Sequence, residues 1–159
     1  MDIPRRRPVL DGLQPYIQGE RSLPGKEIVI TLSANESPYG PSPEARQAYL
    51  GAVESIGSYG DGQQTVLRAA LAKTHGLPID SILCGNGSDE LISLLIRAFL
   101  ELGEEIVISE NGFVMTSTHA VVAGGKIVSA PERGWTVDVD QVLAAISSRT
   151  RIVSICNPN

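Results

Sequence analysis

A chain of 159 residues with 42% apolar and 19% charged residues is long and apolar enough to build one domain with its own core, which excludes a disordered tail, a collagen-like repeat and a small disulfide scaffold. A formal net charge of -5 argues against broad binding to nucleic acid or to anionic membrane, yet leaves room for a small phosphorylated ligand that needs only local positive potential. No apolar stretch approaches the length that crosses a bilayer.

Residues 1–26 carry Pro4, Pro8, Pro15 and Pro24 and read as an irregular arm with at most one short helix. The run Arg5-Arg6-Arg7 lacks a following apolar segment, so a solvated tail is expected there and not a targeting signal. Tyr16 is the one arm residue suited either to a site or to anchoring the arm. Residues 27–32, EIVITL, are strand-like by their β-branched content. They feed a loop stiffened by Pro38, Gly40, Pro41 and Pro43, which holds Asn35 and Glu36 near its start and opens a helix running to about Glu54.

A glycine-rich break around Tyr59, SYGDG, precedes a helix over 64–75 with an apolar stripe of Val66, Leu67, Ala70 and Leu71, ended by Gly76. Next comes SILCGNGSDELISLLIRAFL at 81–100. The spacing predicts a strand ending at Cys84, a turn through Gly85-Asn86-Gly87 and a helix with Ser88, Asp89 and Glu90 in its first turn. Free N–H groups and the positive dipole end make such a corner an anion site, and an ordinary capped β-α corner would look the same. The breadth of apolar positions (Leu91, Ile92, Leu94, Leu95, Ile96, Ala98, Phe99) predicts that this helix is covered on most sides. Strands are expected over 104–109, 126–130 and 151–156, and helices over 114–122 and 137–146, the latter with Asp138 and Asp140 in its first turn. Strand and helix alternating from Ser81 onward indicate a mostly parallel sheet with helices on both faces. The sequence stops at Asn157-Pro158-Asn159, just outside a strand's carboxyl end, which suggests the N-terminal part of a longer protein.

The two cysteines, Cys84 and Cys156, fit a reduced, cytoplasmic protein. No metal site is expected, because His75 and His119 are far apart and read as surface or capping residues. Two phosphate ligands can be weighed. A dinucleotide would use Gly85 and Gly87 with Glu110 as ribose acid, but Glu90 occupies the third glycine position, where a carboxylate opposes both close packing and a pyrophosphate. A cofactor with one phosphate and one aromatic ring fits better. Phe113, just past the next strand, offers a stacking face, although it could equally be a helix-packing residue.

ANESPYGPSP at 34–43, SYGDG at 58–62, GNGSDE at 85–90, Phe113 and the final NPN, in this order and spacing over nearly all of residues 12–159, resemble the N-terminal part of the histidinol-phosphate aminotransferases. These form a family within the class II branch of fold-type I pyridoxal 5'-phosphate (PLP) enzymes. The resemblance implies a three-layer α/β/α fold, the mostly parallel sheet of the fold-type I large domain, incomplete at its C-terminus. Residues 1–35 would be the arm and a small-domain segment, and residues 36–159 the N-terminal part of the PLP-binding domain.

It further implies that Gly87, Ser88 and Asp89 hold the cofactor phosphate and that Phe113 stacks on its ring. Tyr59 would reach the phosphate of the neighbouring subunit in a homodimer, while Tyr16 and Asn35 would meet substrate. Gly60 stands where the family usually has proline, Glu110-Asn111-Gly112 replaces a proline-rich segment, and Thr116 replaces a frequent tyrosine. The reactive lysine, the aspartate for the pyridine nitrogen and the substrate arginines are expected beyond Asn159, since Lys26, Lys73 and Lys126 show no nucleophile setting. The implied activity is amino transfer between glutamate and imidazole-acetol phosphate, running through histidinol phosphate, with the fragment inactive alone. Alternatives are another class II enzyme (an aromatic aminotransferase or a phospho-amino-acid decarboxylase) or a non-catalytic partial domain. Small-molecule substrates, and neither nucleic acid nor membrane, are the expected partners.

Overall fold

The computed structural model describes residues 5–11, 13, 16, 24–25, 30 and 36–158. The expected strand over 27–32 therefore lies outside the described residues except for Ile30, and Asn35 lies outside them as well. The chain divides into two compact units, Tyr16–Leu83 and the combination of Met1–Pro15 with Cys84–Asn159.

The first unit holds two helices. α1, Pro43–Ala52, starts where the Ser42 hydroxyl accepts the Ala45 N–H at 3.1 Å and Pro43 takes the first helical position, whose N–H would be unsatisfied anyway. α2, Thr65–His75, ends at Gly76 with φ 64°. The stripe expected on α2 does not become core. Val66, Leu67 and Ala70 are exposed and only Leu71 of the four is half-buried. Half-buried Arg68 is the organiser missing from that pattern. Its Nε donates to the Ile82 carbonyl at 3.0 Å and its NH2 to the Ile79 carbonyl at 2.9 Å, fixing the chain after α2. The strand predicted over 81–84 is corrected as well. Ile79–Ser81 is a 3-10 turn, and the extended backbone from Ile82 has no ladder partner among the described residues. β propensity alone does not make a strand without a neighbouring strand to pair with.

The second unit is built on a parallel sheet of β1 (Glu105–Ser109), β2 (Lys126–Ala130) and β5 (Thr150–Ser154), in the order β2-β1-β5. Ile106 pairs with Ile127 on one side and with Ile152 on the other. Central β1 is buried along its whole length, and its alternation assigns the two faces. Ile106 and Ile108 meet Ile96 and Leu100 from α3 (Gly87–Phe99) with its cap, and Ala120 from α4 (Val114–Ala123). Val107 turns the other way, to Ala130 and to Val142 of α5 (Val139–Ala144). Helices thus cover both faces, as the alternating pattern indicated.

Other features differ from expectation. α3 buries Ile96 alone, with Leu94, Leu95 and Phe99 exposed, because the sheet and α4 cover only one of its sides. α5 is shorter than the expected 137–146. The Asp138 carboxylate caps it by accepting the Asp140 and Gln141 N–H groups, and so stands outside the first turn. The preceding residues form a hairpin, β3 (Glu132–Arg133) with β4 (Thr136–Val137), closed by Gly134 and Trp135 at φ 57° and 63°. Two successive left-handed residues match the right-handed twist of hairpin strands.

At the amino edge of the sheet, Glu105 is buried, 4% exposed, and takes hydrogen bonds from the Ser147 hydroxyl and from Arg149 Nε at 2.7 Å. The Ser147 hydrogen bond first, and Arg149 second, hold its carboxyl below the usual carboxylate range. A depressed folded value contributes stability that is present above the unfolded carboxyl value, about 4.3, and fades as pH falls through the folded value. Glu105→Gln is therefore expected to lower the melting temperature at neutral pH and to lose that deficit in acid. Thermal melts of both proteins from pH 7 downward check this, and a gap that widens on acidification contradicts it.

Candidate functional site

The start of α3 rests on two glycines with different tasks. Gly87 has φ 82°, a left-handed conformation that a side chain disfavours, and its N–H donates to the Gly85 carbonyl at 2.9 Å to close the corner. Gly85 lets two side chains of α3 come close. A Cβ there would lie 2.8 Å from Glu90 Oε2 and 3.0 Å from Leu91 Cδ2. Glu90 is close because its carboxylate folds back onto Asn86, accepting the backbone N–H at 2.6 Å and Nδ2 at 3.1 Å. This resembles a capping box one residue longer than usual.

Asn86, at the N-cap, offers no side-chain acceptor to the first turn, so the Ser88 and Asp89 N–H groups remain available to an outside acceptor. Ser88, Asp89 and Glu90 are exposed. Both first-turn carboxylates have partners of their own, Glu90 with Asn86 and Asp89 with His119, whose Nε2 lies 3.0 Å from Asp89 Oδ1. The result is a shallow cup of backbone donors at the positive end of a helix, the arrangement that suits a phosphate. The positive φ of Gly87, with nothing within 4 Å of its Cβ position, fits a ligand that must approach backbone closely.

Phe113 follows the carboxyl end of β1. The chain turns tightly there, with the Gly112 N–H on the Ser109 carbonyl at 3.0 Å, so that Phe113 becomes the N-cap residue of α4. Its side chain is 39% exposed, enough for a ring face to be offered to a ligand. Beside it, Glu132 accepts Asn111 Nδ2 at 2.9 Å and the Asn111 N–H at 3.2 Å. The Asn111 side-chain hydrogen bond is the main reason that the Glu132 carboxyl sits below its ordinary range. The buried Ser109 hydroxyl adds to that lowering by proximity, although it has no hydrogen bond of good geometry.

The structure places the predicted residues unevenly. Gly87, Ser88 and Asp89 share the cup, and His119 ties Asp89 to the helix that Phe113 caps. Tyr59 belongs to the other unit and is fully exposed. Its loop is held at the following Asp61, whose two carboxylate oxygens accept the Gln63 and Thr65 N–H groups at 2.9 and 2.8 Å. The Thr65 backbone bond leads the lowering of the Asp61 carboxyl. Gly60 therefore does not leave the turn untethered. Tyr16 is exposed, and Asn35 lies outside the described residues.

His119 was not legible as a site neighbour, since the only signal was a lone histidine on an apolar helix thirty residues from Asp89. Among the described residues no cluster of His, Cys, Asp or Glu could hold a metal ion, and no helix is long and apolar enough to cross a membrane. Lys126 opens β2 at the amino edge of the sheet, opposite the edge that leads to Phe113. The arrangement can bind an anion and shield an aromatic ring.

Residues 27–159 match the family model described as aminotransferase class I and II. The chain is 45% identical over its whole length to the histidinol-phosphate aminotransferase of Granulibacter bethesdensis, of which it spans 43%. It is 43% identical over 99% of its length to that of Rhodospirillum rubrum, again spanning 43%. Among solved structures, the histidinol-phosphate aminotransferase of Sinorhizobium meliloti in complex with pyridoxal-5'-phosphate superposes with a TM-score of 0.70. That match has 31% identity and covers 73% of this chain and 32% of that one.

Proposed function

Because this chain belongs to the family of class I and II aminotransferases, we propose that it supplies the phosphate-holding part of a PLP-dependent enzyme that moves an amino group between glutamate and imidazole-acetol phosphate. The observation that carries the proposal is the cup at the start of α3, with left-handed Gly87 and uncapped N–H groups at Ser88 and Asp89. Identity of 45% and 43% to histidinol-phosphate aminotransferases supports the substrate assignment. The chain spans less than half the length of these relatives, so the full-length protein is the proper object of test.

In this proposal Gly87, Ser88 and Asp89 hold the phosphate, Ser88 and Asp89 through their free N–H groups and Gly87 through the turn that presents them, and Phe113 covers one face of the pyridine ring. Bound PLP would supply the electron sink that takes up charge developing at the amino-bearing carbon. The chain's own contribution is positioning. An anchored phosphate keeps the ring aligned while its other bonds change. Residues 36–159 form the N-terminal part of the cofactor domain, and residues 1–35 an arm whose Tyr16, with Asn35, meets substrate. The protein acts on small molecules in the cytoplasm as a homodimer, in which exposed Tyr59 crosses to the cofactor phosphate of its partner.

The test is turnover by the full-length protein with glutamate as donor, comparing imidazole-acetol phosphate with aromatic keto acids. Preference for the former is expected, and preference for an aromatic acceptor overturns the substrate assignment. Tyr59→Phe removes one hydrogen bond to an anion, a loss of about 1.5–3 kcal/mol, so cofactor retention should fall roughly tenfold or more. Unchanged retention in equilibrium dialysis contradicts the crossing role.

A further inference from the structure

We propose that a second anion site, distinct from the cup, lies in the cleft between α3 and α4 and takes the phosphate group of a small phosphate monoester. The cleft measures about 440 Å³. Ser93, Arg97 and Leu100 of α3 and its cap form one wall, at the four- and three-residue spacing that shares a helix face. His119, Val122 and Ala123 of α4 form the other, and Arg7 closes one side. Two guanidinium groups, an imidazole and a hydroxyl therefore converge, and no carboxylate lines the space. Asp89, the carboxylate in contact with this set, is the partner of His119.

An ordinary account exists for each arginine alone, because cations are favourable at helix C-termini. Arg7 NH1 donates to the Val122 carbonyl at 3.1 Å, and Arg97 stands in the last turn of α3. That account does not explain the rest of the set. Arg97 and Ser93 have no hydrogen-bond or ion-pair partner among the described residues, although both face the same cleft. In a chain of net charge -5, two guanidinium groups brought to one cleft without a lining acid leave a local positive potential that an anion can fill.

The chemistry of the lining narrows the ligand. Guanidinium forks match carboxylate or phosphate oxygens, and two of them suit a dianion better than a single carboxylate. Leu100, Val122 and Ala123 supply an apolar wall for an organic body, which favours a monoester over free phosphate. The arginine end of the cleft is separate from the cup, which the cleft approaches at the Asp89–His119 pair. Arg97 lies ten residues along α3 from Gly87, about 15 Å at the helical rise, farther than one phosphate can bridge. The inference stands without the aminotransferase assignment.

The experiment uses full-length protein loaded with one equivalent of PLP and desalted, titrated calorimetrically with phenyl phosphate and, separately, with inorganic phosphate. Saturable binding is expected, tighter for phenyl phosphate, and weakened about tenfold or more by Arg97→Gln or Arg7→Gln. Absence of saturable binding into the millimolar range overturns the proposal. So does binding that survives both Arg97→Gln and Arg7→Gln, which places the anion outside this cleft, at the cup or the substrate site. Equal affinity for the two probes overturns the monoester assignment. Arg97 is exposed, so Arg97→Gln should keep the wild-type melting temperature, and a matching melt makes the affinity comparison decisive.

Discussion

Replacing Gly87 by valine in the full-length protein is expected to weaken PLP binding about ten- to hundredfold. The position combines two properties. Its φ of 82° is reserved in practice for glycine, and a β-branched residue there is a conformational outlier that costs about 1–3 kcal/mol. Nothing lies within 4 Å of a Cβ at this site, so the substitution collides with no neighbour and acts through the backbone alone. Relaxing that strain turns the first-turn N–H groups of Ser88 and Asp89 away from a common acceptor. Losing one charge-assisted hydrogen bond of about 1.5–3 kcal/mol corresponds to the stated range, since about 1.4 kcal/mol is tenfold in affinity. Equilibrium dialysis measures the change. Affinity equal to wild type would mean that the cup does not hold the cofactor.

The second large effect is expected in the core. Ile106→Ala should destabilise the protein by about 2–5 kcal/mol in urea unfolding, because both the transfer energy and the residual cavity count against it. Ile106 is fully buried in the central strand, where Ile96, Leu100, Ile108 and Ala120 close around it. Domains of this size hold only about 5–15 kcal/mol of stability, so the variant is expected near the limit of folding. Ile152, its partner on β5, is only half-buried and should lose less. Equal losses at the two positions would mean that β1 is not the centre of the core.

What the sequence revealed follows from the range of the interactions involved. The three paired strands were legible because EIVIS and its counterparts are apolar and β-branched, and the start of α3 because Gly-Asn-Gly followed by Ser, Asp and Glu is a local signal. Pairing is not local. Residues 82–84 carry strand composition, yet an extended segment becomes a strand only beside another, and no described strand meets it. The hairpin at 132–137 was hidden because its second turn residue is Trp135, which composition does not associate with φ 63°. Buried charge was hidden for the same reason. Glu105 heads a strand and reads as solvated until Arg149 and Ser147, more than forty residues later, fold against it. The Asp89–His119 pair and the basic cleft between α3 and α4 likewise exist only once the two helices lie side by side.

The central claim, that the first turn of α3 grips the cofactor by its phosphate, is tested most directly by comparing PLP with pyridoxal, which lacks that group. Dissociation constants for both, measured on wild-type full-length protein and on Gly87→Val, complete a four-way cycle. Strong preference for PLP in the wild type, collapsing in the variant while pyridoxal affinity holds, is the predicted result. Equal weakening of both ligands, or a PLP preference that survives the substitution, would contradict the account.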